Sequence, residues 1–262
     1  MATKIFLAGA SGAVGRPLIQ ILREAGHSVT GTTRTPKGRD QLEAMGIAAV
    51  IADVFDGEAI SDVMQATTPE IVIHQLTDLS SFDPASPEEA VLRNARLRRD
   101  GTANLVAAAV ATGVKRFVAQ SIGWAYAPKT PPFVESDPLD VHATGQRATT
   151  VLEGIVPLER AVLEQSSFES VVLRYGQFYG PGTWSAVPSG SAPLQVEAAA
   201  YAAFLAIDHG RPGVYNVADP GGVLAIEKAL RELTWRPDFR LAEILRSGSV
   251  TSVPDRRAMH LP

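Results

Sequence analysis

Lys4-Ile-Phe-Leu-Ala8 runs straight into Gly9-Ala-Ser-Gly12-Ala-Val-Gly15, and that junction decides the fold. The first five residues read as a strand, and a helical pattern follows from about Val14 to Ala25. Glycines three apart between a strand and a helix each have a task. Gly9 permits the tight turn, Gly12 lets backbone approach a pyrophosphate, and Gly15 lets helix and strand pack closely. The helix N-terminus offers unpaired N–H groups and the positive end of its dipole to the phosphates. Gly9, Ser11, Gly12, Ala13, Val14 and Gly15 are therefore expected to cradle a dinucleotide.

Outward from the turn, apolar β-rich runs alternate with helical patterns, as in stacked βαβ units around a parallel sheet. Strands are expected at Ser28–Thr33, Ala48–Ala52, Ile71–Leu76, Phe117–Ser121, Val171–Arg174 and Gly213–Val217. Helices are expected near Glu43–Met45, over Asn94–Thr112 with Gly113 as cap, over Leu152–Glu164 and over Val196–Asp208. The fold class is α/β: a Rossmann-type, doubly wound parallel sheet in one domain. Residues 1–176 form mainly the dinucleotide-binding core, 177–241 a small, shortened substrate lobe, and 242–262 a tail of little periodicity. The proline-rich stretches Ala127–Pro138 and Gly180–Pro193 read as loops over an active-site face.

Composition narrows the function. A net charge of −4 without Lys/Arg blocks gives no case for nucleic acid or an anionic membrane. No cysteine is present, so disulfides, thiolate chemistry and cysteine metal sites are excluded. Five scattered histidines lack ligand spacing, and no metal site is expected. No apolar run reaches the ~20 residues of a membrane span, and nothing at the N-terminus reads as a signal peptide. The expected location is cytoplasmic.

Cofactor choice is read at the end of the second strand. An NAD site carries an acid there for the ribose 2′-hydroxyl. Here the chain reads Thr32-Thr33-Arg34-Thr35, with Lys37 close by. Arg34 is suited to a 2′-phosphate, a charge-assisted contact of roughly 1.5–3 kcal/mol, so NADP(H) is expected in preference to NAD(H).

With these features the chain resembles the extended short-chain dehydrogenase/reductase superfamily, in its NAD(P)-dependent epimerase/dehydratase-like branch. The resemblance runs from about Thr3 to Leu241. It rests on the glycine turn, Asp53-Val54, Gly101-Thr102, Val114–Ser121 and Leu173-Arg-Tyr-Gly-Gln-Phe-Tyr-Gly-Pro-Gly182. It implies that Asp53 and Val54 flank the adenine and that Leu76 and Thr77 pass under the riboses. Tyr175, Gly176 and Phe178 would lie beside the nicotinamide, Gln177 would face the substrate, and Ser121 would offer it a hydroxyl. Such proteins often dimerise through the helices near Asn94–Thr112 and Leu152–Glu164, so a homodimer is expected.

The departures concern chemistry. The family's reaction uses a Tyr-x-x-x-Lys pair, and none of the tyrosines at 126, 175, 179, 201 and 215 has lysine four residues on. Counting back from Glu159, which matches a family glutamate, places Val151 and Ile155 at the pair's positions. Arg98 stands where the family has asparagine. An unassisted phenol of pKa ~10 is only about 0.1% ionised at pH 7, and a lost acid/base typically removes roughly 10²–10⁴ in rate. Tyr126 is the candidate replacement, with Lys129 the nearest lysine, although an aromatic packed under the proline loop is the competing reading. Ser121 is either a substrate-orienting hydroxyl or a strand-end serine. His142 reads as a surface histidine, and Glu135 with Asp137 as a loop-solvating or capping pair.

Only Thr183–Gln195 separates the Tyr-Gly-Pro-Gly segment from the next helix, which argues against a bulky nucleotide-sugar and for a small substrate, or for none. Trp124, Trp184 and Phe178 are candidates to line its pocket. The expected function is an NADP(H)-dependent oxidoreductase or epimerase-like enzyme on a small carbonyl or hydroxyl compound, with Ser121 and Tyr126 as catalytic candidates. The alternatives are a non-catalytic NADP(H)-binding sensor or scaffold, and a lyase or isomerase on the same fold.

Overall fold

The computed structural model describes residues 2–78 and 86–242, and the expected tail lies outside them except for its first residue. The strands are β1 (Lys4–Ala8), β2 (Ser28–Thr33), β3 (Ala48–Ile51), β4 (Ile71–His74), β5 (Arg116–Ile122), β6 (Glu169–Tyr175), β7 (Gln177–Tyr179), β8 (Pro193–Gln195) and β9 (Gly213–Val217). Seven of them form one sheet in the order β3-β2-β1-β4-β5-β6-β9, with every neighbouring pair parallel. The winding direction reverses between β1 and β4. In a doubly wound sheet the crevice beyond that switch point is where ligands bind.

Both faces of the sheet are covered, which explains the continuous apolar runs. Ile5 and Leu7 of β1 face one core with α1 (Gly15–Glu24), while Phe6 and Ala8 face the other. Every residue of β5 is buried. β7 and β8 make a separate two-stranded parallel sheet within the stretch expected to form the small lobe.

Several helices are longer than the periodicity indicates. α2 spans Pro36–Ala44, not merely the turn around Glu43, because Thr35 caps it by accepting the Gly38 N–H and Pro36 fixes its first φ. α3 (Gly57–Thr67) is absent from the sequence reading, although Asp56 caps it through the Ala59 N–H at 3.0 Å. The helix expected from Asn94 begins at Pro87. It runs as α4 (Pro87–Arg96), a π-helical turn at Leu97–Gly101, and α5 (Thr102–Thr112), ending at Gly113 with φ 70°.

The helix expected from Leu152 likewise begins earlier. α6 (Gly145–Ala148) leads into a π-helical segment, Thr149–Ile155, and then α7 (Val156–Leu163). The two π segments pack against each other. The second also packs closely on α4, where a Cβ at Gly154 would lie 3.1 Å from the Ala95 Cα. π turns are rare and concentrate at functional sites. α8 (Val196–Leu205) and α9 (Glu227–Glu232) complete the described chain. No helix among the described residues is long and apolar enough to cross a membrane.

Candidate dinucleotide and active site

A cavity of about 490 Å³ opens at the β1/β4 switch point. Its floor is the glycine turn. Gly9 has φ 88°, and a Cβ there would lie 2.6 Å from the Gln75 carbonyl carbon. At Gly15 a Cβ would come within 2.3 Å of the Gly9 oxygen. Both obstacles are backbone and cannot swing aside, so these positions require glycine. Among the described residues the N–H groups of Ala13 and Val14 donate to no protein acceptor, which suits the open N-terminus of α1 to an anion.

The cavity wall is strongly cationic. Arg16, Arg34, Lys37, Arg93 and Arg96 line it, against only two carboxylates, Asp53 and Asp78. Asp78 is committed to Arg93, at 2.9 Å, and lies 4.0 Å from Arg34. Arg34 is largely exposed, and the Thr35-capped start of α2 sits beside it. Asp53 accepts the Phe55 N–H, while Asn104 holds the Val54 carbonyl at 2.8 Å. Arg96 lies 4.3 Å over the Phe55 ring, giving this end of the cavity a flat wall suited to a planar base. Phe55, Arg93, Arg96 and Asp78 were not identified from the sequence. Their only advance signal was proximity to Asp53-Val54 and to Leu76-Thr77.

The strap under the cavity is fixed from below. His74 is buried at the end of β4; its Nδ1 accepts the Leu76 N–H, so its Nε2 carries the proton toward Thr102 Oγ1 at 2.9 Å. Burial first, and the Arg98 charge second, lower the His74 pKa to about 4. The ring is therefore neutral at pH 7, as this hydrogen-bond pattern requires. Gln75, 5% exposed, lines the cavity with neither atom of its amide hydrogen-bonded among the described residues. The nearby Tyr175 phenol gives its proton to the Ala199 carbonyl instead. An orphaned buried amide facing a cavity marks a place for a polar ligand.

The two hydroxyls expected to meet substrate have internal partners. Ser121 is fully buried and donates to Glu159 Oε1 at 2.6 Å. Glu159 also receives Arg174 through Nε and Nη2, at 2.9 and 2.7 Å. Burial works against the Arg174 charge, but the Glu159 pair outweighs it and holds the guanidinium above its ordinary pKa. Tyr126 is buried, stacks on Phe133 of the proline loop at 5.3 Å and donates to Asn216 Oδ1 at 2.6 Å. Burial pushes its phenol pKa up, away from a base's range. Lys129 pairs with Asp137 rather than with this phenol. Glu135 accepts the Asn216 N–H and Asp137 the Val134 N–H, so both carboxylates pin the loop. His142 is exposed.

On the nicotinamide side expected from the resemblance, Tyr175 is buried and Phe178 packs obliquely on it at 5.4 Å. A Cβ at Gly176 would strike the Ala192 oxygen at 2.0 Å, so β6 passes into the lobe through a glycine-only contact. Gln177 spends its carbonyl on the Ala192 N–H at 2.9 Å, holding the lobe together instead of leaving the whole amide to a substrate. Trp124 is 40% and Trp184 73% exposed. Val151 and Ile155 are fully buried with Ile122 and Ala125 in a small apolar cluster.

Comparison with known proteins agrees with this architecture. The chain is 39% identical over 214 residues to a 3-diazoavenalumate denitrifying reductase of a Streptomyces species, covering 78% of this chain and 68% of that protein. It is 28% identical to the uncharacterized protein y4nL of Sinorhizobium fredii, over 68% of this chain and 51% of that one. Among solved structures, UDP-glucose 4-epimerase of Thermotoga maritima superposes with a TM-score of 0.72 at 19% identity, covering 98% of this chain and 100% of that one. The Bordetella bronchiseptica enzyme WbmG, in complex with NAD, gives a TM-score of 0.70 at 18% identity, over 96% and 94% of the two chains. Residues 5–212 match the family whose description fits the turn, the sheet order and the cavity: the chain belongs to the NAD dependent epimerase/dehydratase family.

Proposed function

We propose that this protein is an NADP(H)-dependent reductase of a small substrate, and that its acceptor takes hydride without needing a proton from the enzyme. One observation carries the second half of this reading. Fully buried, apolar Val151 and Ile155 occupy the positions the resemblance gives to the proton-handling pair, beside an intact cofactor cavity. When bound, the reduced nicotinamide supplies the hydride. The turn from Gly9 to Gly15 would hold the pyrophosphate, Arg34 and Lys37 the 2′-phosphate, and the Phe55–Arg96 wall the adenine. Five cations against two carboxylates favour the more highly charged NADP(H) over NAD(H).

Carbonyl reduction leaves an alkoxide that must be protonated, and among the described residues the two candidate hydroxyls, Ser121 and Tyr126, are spent on Glu159 and Asn216. A diazonium acceptor avoids the difficulty. Hydride forms a C–H bond as the C–N bond breaks and dinitrogen leaves with the bonding pair, so the balance closes without a proton. The Streptomyces relative, named for denitrifying reduction of a diazo compound, supports this substrate class. Exposed Leu92, Val110 and Leu152, on the helices the family often pairs, support a homodimer.

The test offers NADPH with 3-diazo-4-hydroxybenzoate and, separately, with aromatic aldehydes, using cofactor deuterated at nicotinamide C4. The expected result is dinitrogen release with deuterium on the former diazo carbon. Consumption of aldehydes alone would return the reading to carbonyl chemistry. NADPH binding without turnover of either would favour a sensor.

A further inference from the structure

We propose that Arg98 anchors a carboxylate of the substrate, directly after Leu97 of the cofactor cavity's lining. This rests on the reductase reading for the identity of the site, but not for the existence of the anion contact.

Arg98 lies in the π turn between α4 and α5. Its neighbours on that helix have partners. Arg93 is paired with Asp78, while Arg96 and Arg99 both reach Asp100. Arg98 has no hydrogen bond or ion pair among the described residues, and no carboxylate lies close enough to raise its pKa. Burial alone acts on it and lowers the value to about 10. The stem runs along Gly154, where a Cβ would meet the Arg98 Cδ at 3.4 Å. The guanidinium is thus held between the end of β4 and the facing π segment. Its charge is felt at His74, the residue that positions Leu76 under the cofactor cavity.

A half-buried, uncompensated guanidinium is costly to keep, and such a charge usually awaits an opposite one. Cofactor phosphate is the poorer candidate. Arg93 and Arg96 already face the cofactor cavity, whereas Arg98 leans on Gly154 of the opposite helix. The π segment that carries Gly154 also carries Val151 and Ile155, which pack with Ile122 and Ala125 in an apolar cluster. One fixed cation beside apolar walls suits a flat, apolar acid whose carboxylate takes two parallel hydrogen bonds from the guanidinium.

The experiment titrates trans-cinnamate and its neutral isostere trans-cinnamamide into the full chain, with and without saturating NADPH, by calorimetry. Wild type is expected to bind the acid roughly 10- to 100-fold more tightly than the amide, the range of a charge-assisted hydrogen bond. Arg98→Met should bring the acid down to the amide's level while NADPH affinity stays within about twofold, and Arg98→Lys should keep part of the preference. Equal binding of acid and amide by wild type, or binding of neither, overturns the proposal. So does a loss of NADPH affinity in Arg98→Met that matches the loss for the acid, because the charge would then serve the cofactor. Should Arg98→Met fail to fold, the wild-type ratio and Arg98→Lys decide the question. Failure of diazonium reduction with the acid preference intact would reject the proposed reaction and leave the anchor standing.

Discussion

Arg174 and Glu159 form a two-point pair, Nε and Nη2 each reaching a carboxylate oxygen, with both side chains about 5% exposed. Ser121 completes the arrangement from β5, so one carboxylate ties together the ends of β5, β6 and α7. Glu159→Gln leaves a buried guanidinium without its counter-charge and is expected to cost about 3–5 kcal/mol in urea denaturation. Ser121→Ala removes one hydrogen bond to a charged acceptor and should cost roughly 1.5–3 kcal/mol, with NADPH affinity and turnover within a few-fold of wild type. A Ser121→Ala protein that keeps its stability but loses turnover would show instead that the hydroxyl works on the substrate.

Arg34 is largely exposed, and its 4.0 Å approach to Asp78 contributes little to folding. Its proposed role is at the cofactor 2′-phosphate. Arg34→Ala should weaken NADPH roughly 10- to 100-fold and NADH less than threefold, read by energy transfer from tryptophan to the nicotinamide. The melting temperature without cofactor should not move. Equal loss for both cofactors would remove the 2′-phosphate assignment.

The difference between these two sites explains what the sequence could disclose. The glycine turn is a local backbone requirement, so Gly9 and Gly15 announce themselves within seven residues of one another, and the strand before them fixes the topology. The place of Arg34 on the cavity wall is legible for the same reason, standing directly after β2. Ser121 and Tyr126 are not. Their roles depend on Glu159, 38 residues away, and Asn216, 90 residues away. No periodicity foretells that a hydroxyl will be claimed from that distance. The π turns escape too, because the helical runs on either side are too short for a one-residue change of phase to stand out. Asp56 is a different case: a capping residue before α3 was there to be read.

Gln75 tests whether the orphaned amide belongs to the cofactor. Gln75→Leu replaces unsatisfied buried polar atoms with apolar ones of similar volume, which should stabilise the free protein by about 1–3 kcal/mol. The same change should weaken NADPH several-fold by removing a ligand-facing donor. Chemical denaturation with and without NADPH measures both effects together. A variant both more stable and equally tight for NADPH would assign the amide to no ligand.

His74 makes stability depend on pH in a definite direction. In the folded chain its pKa is lowered to about 4 by burial and by Arg98, while an unfolded histidine titrates near its ordinary value of 6.5. As pH falls below 6.5 the unfolded chain takes up a proton that the folded chain refuses. The stabilisation is therefore complete above pH 6.5 and is lost progressively toward pH 4, by an amount on the order of 3 kcal/mol. His27, also lowered by burial, acts in the same direction and is left in place as a background. Urea denaturation at pH 7, 6 and 5 should show wild type weakening more steeply than His74→Asn, by up to about 1.4 kcal/mol per pH unit. Carboxylates contribute mainly below this window, so parallel slopes for the two proteins would mean that His74 is protonated in the fold and that the Leu76 strap is held some other way.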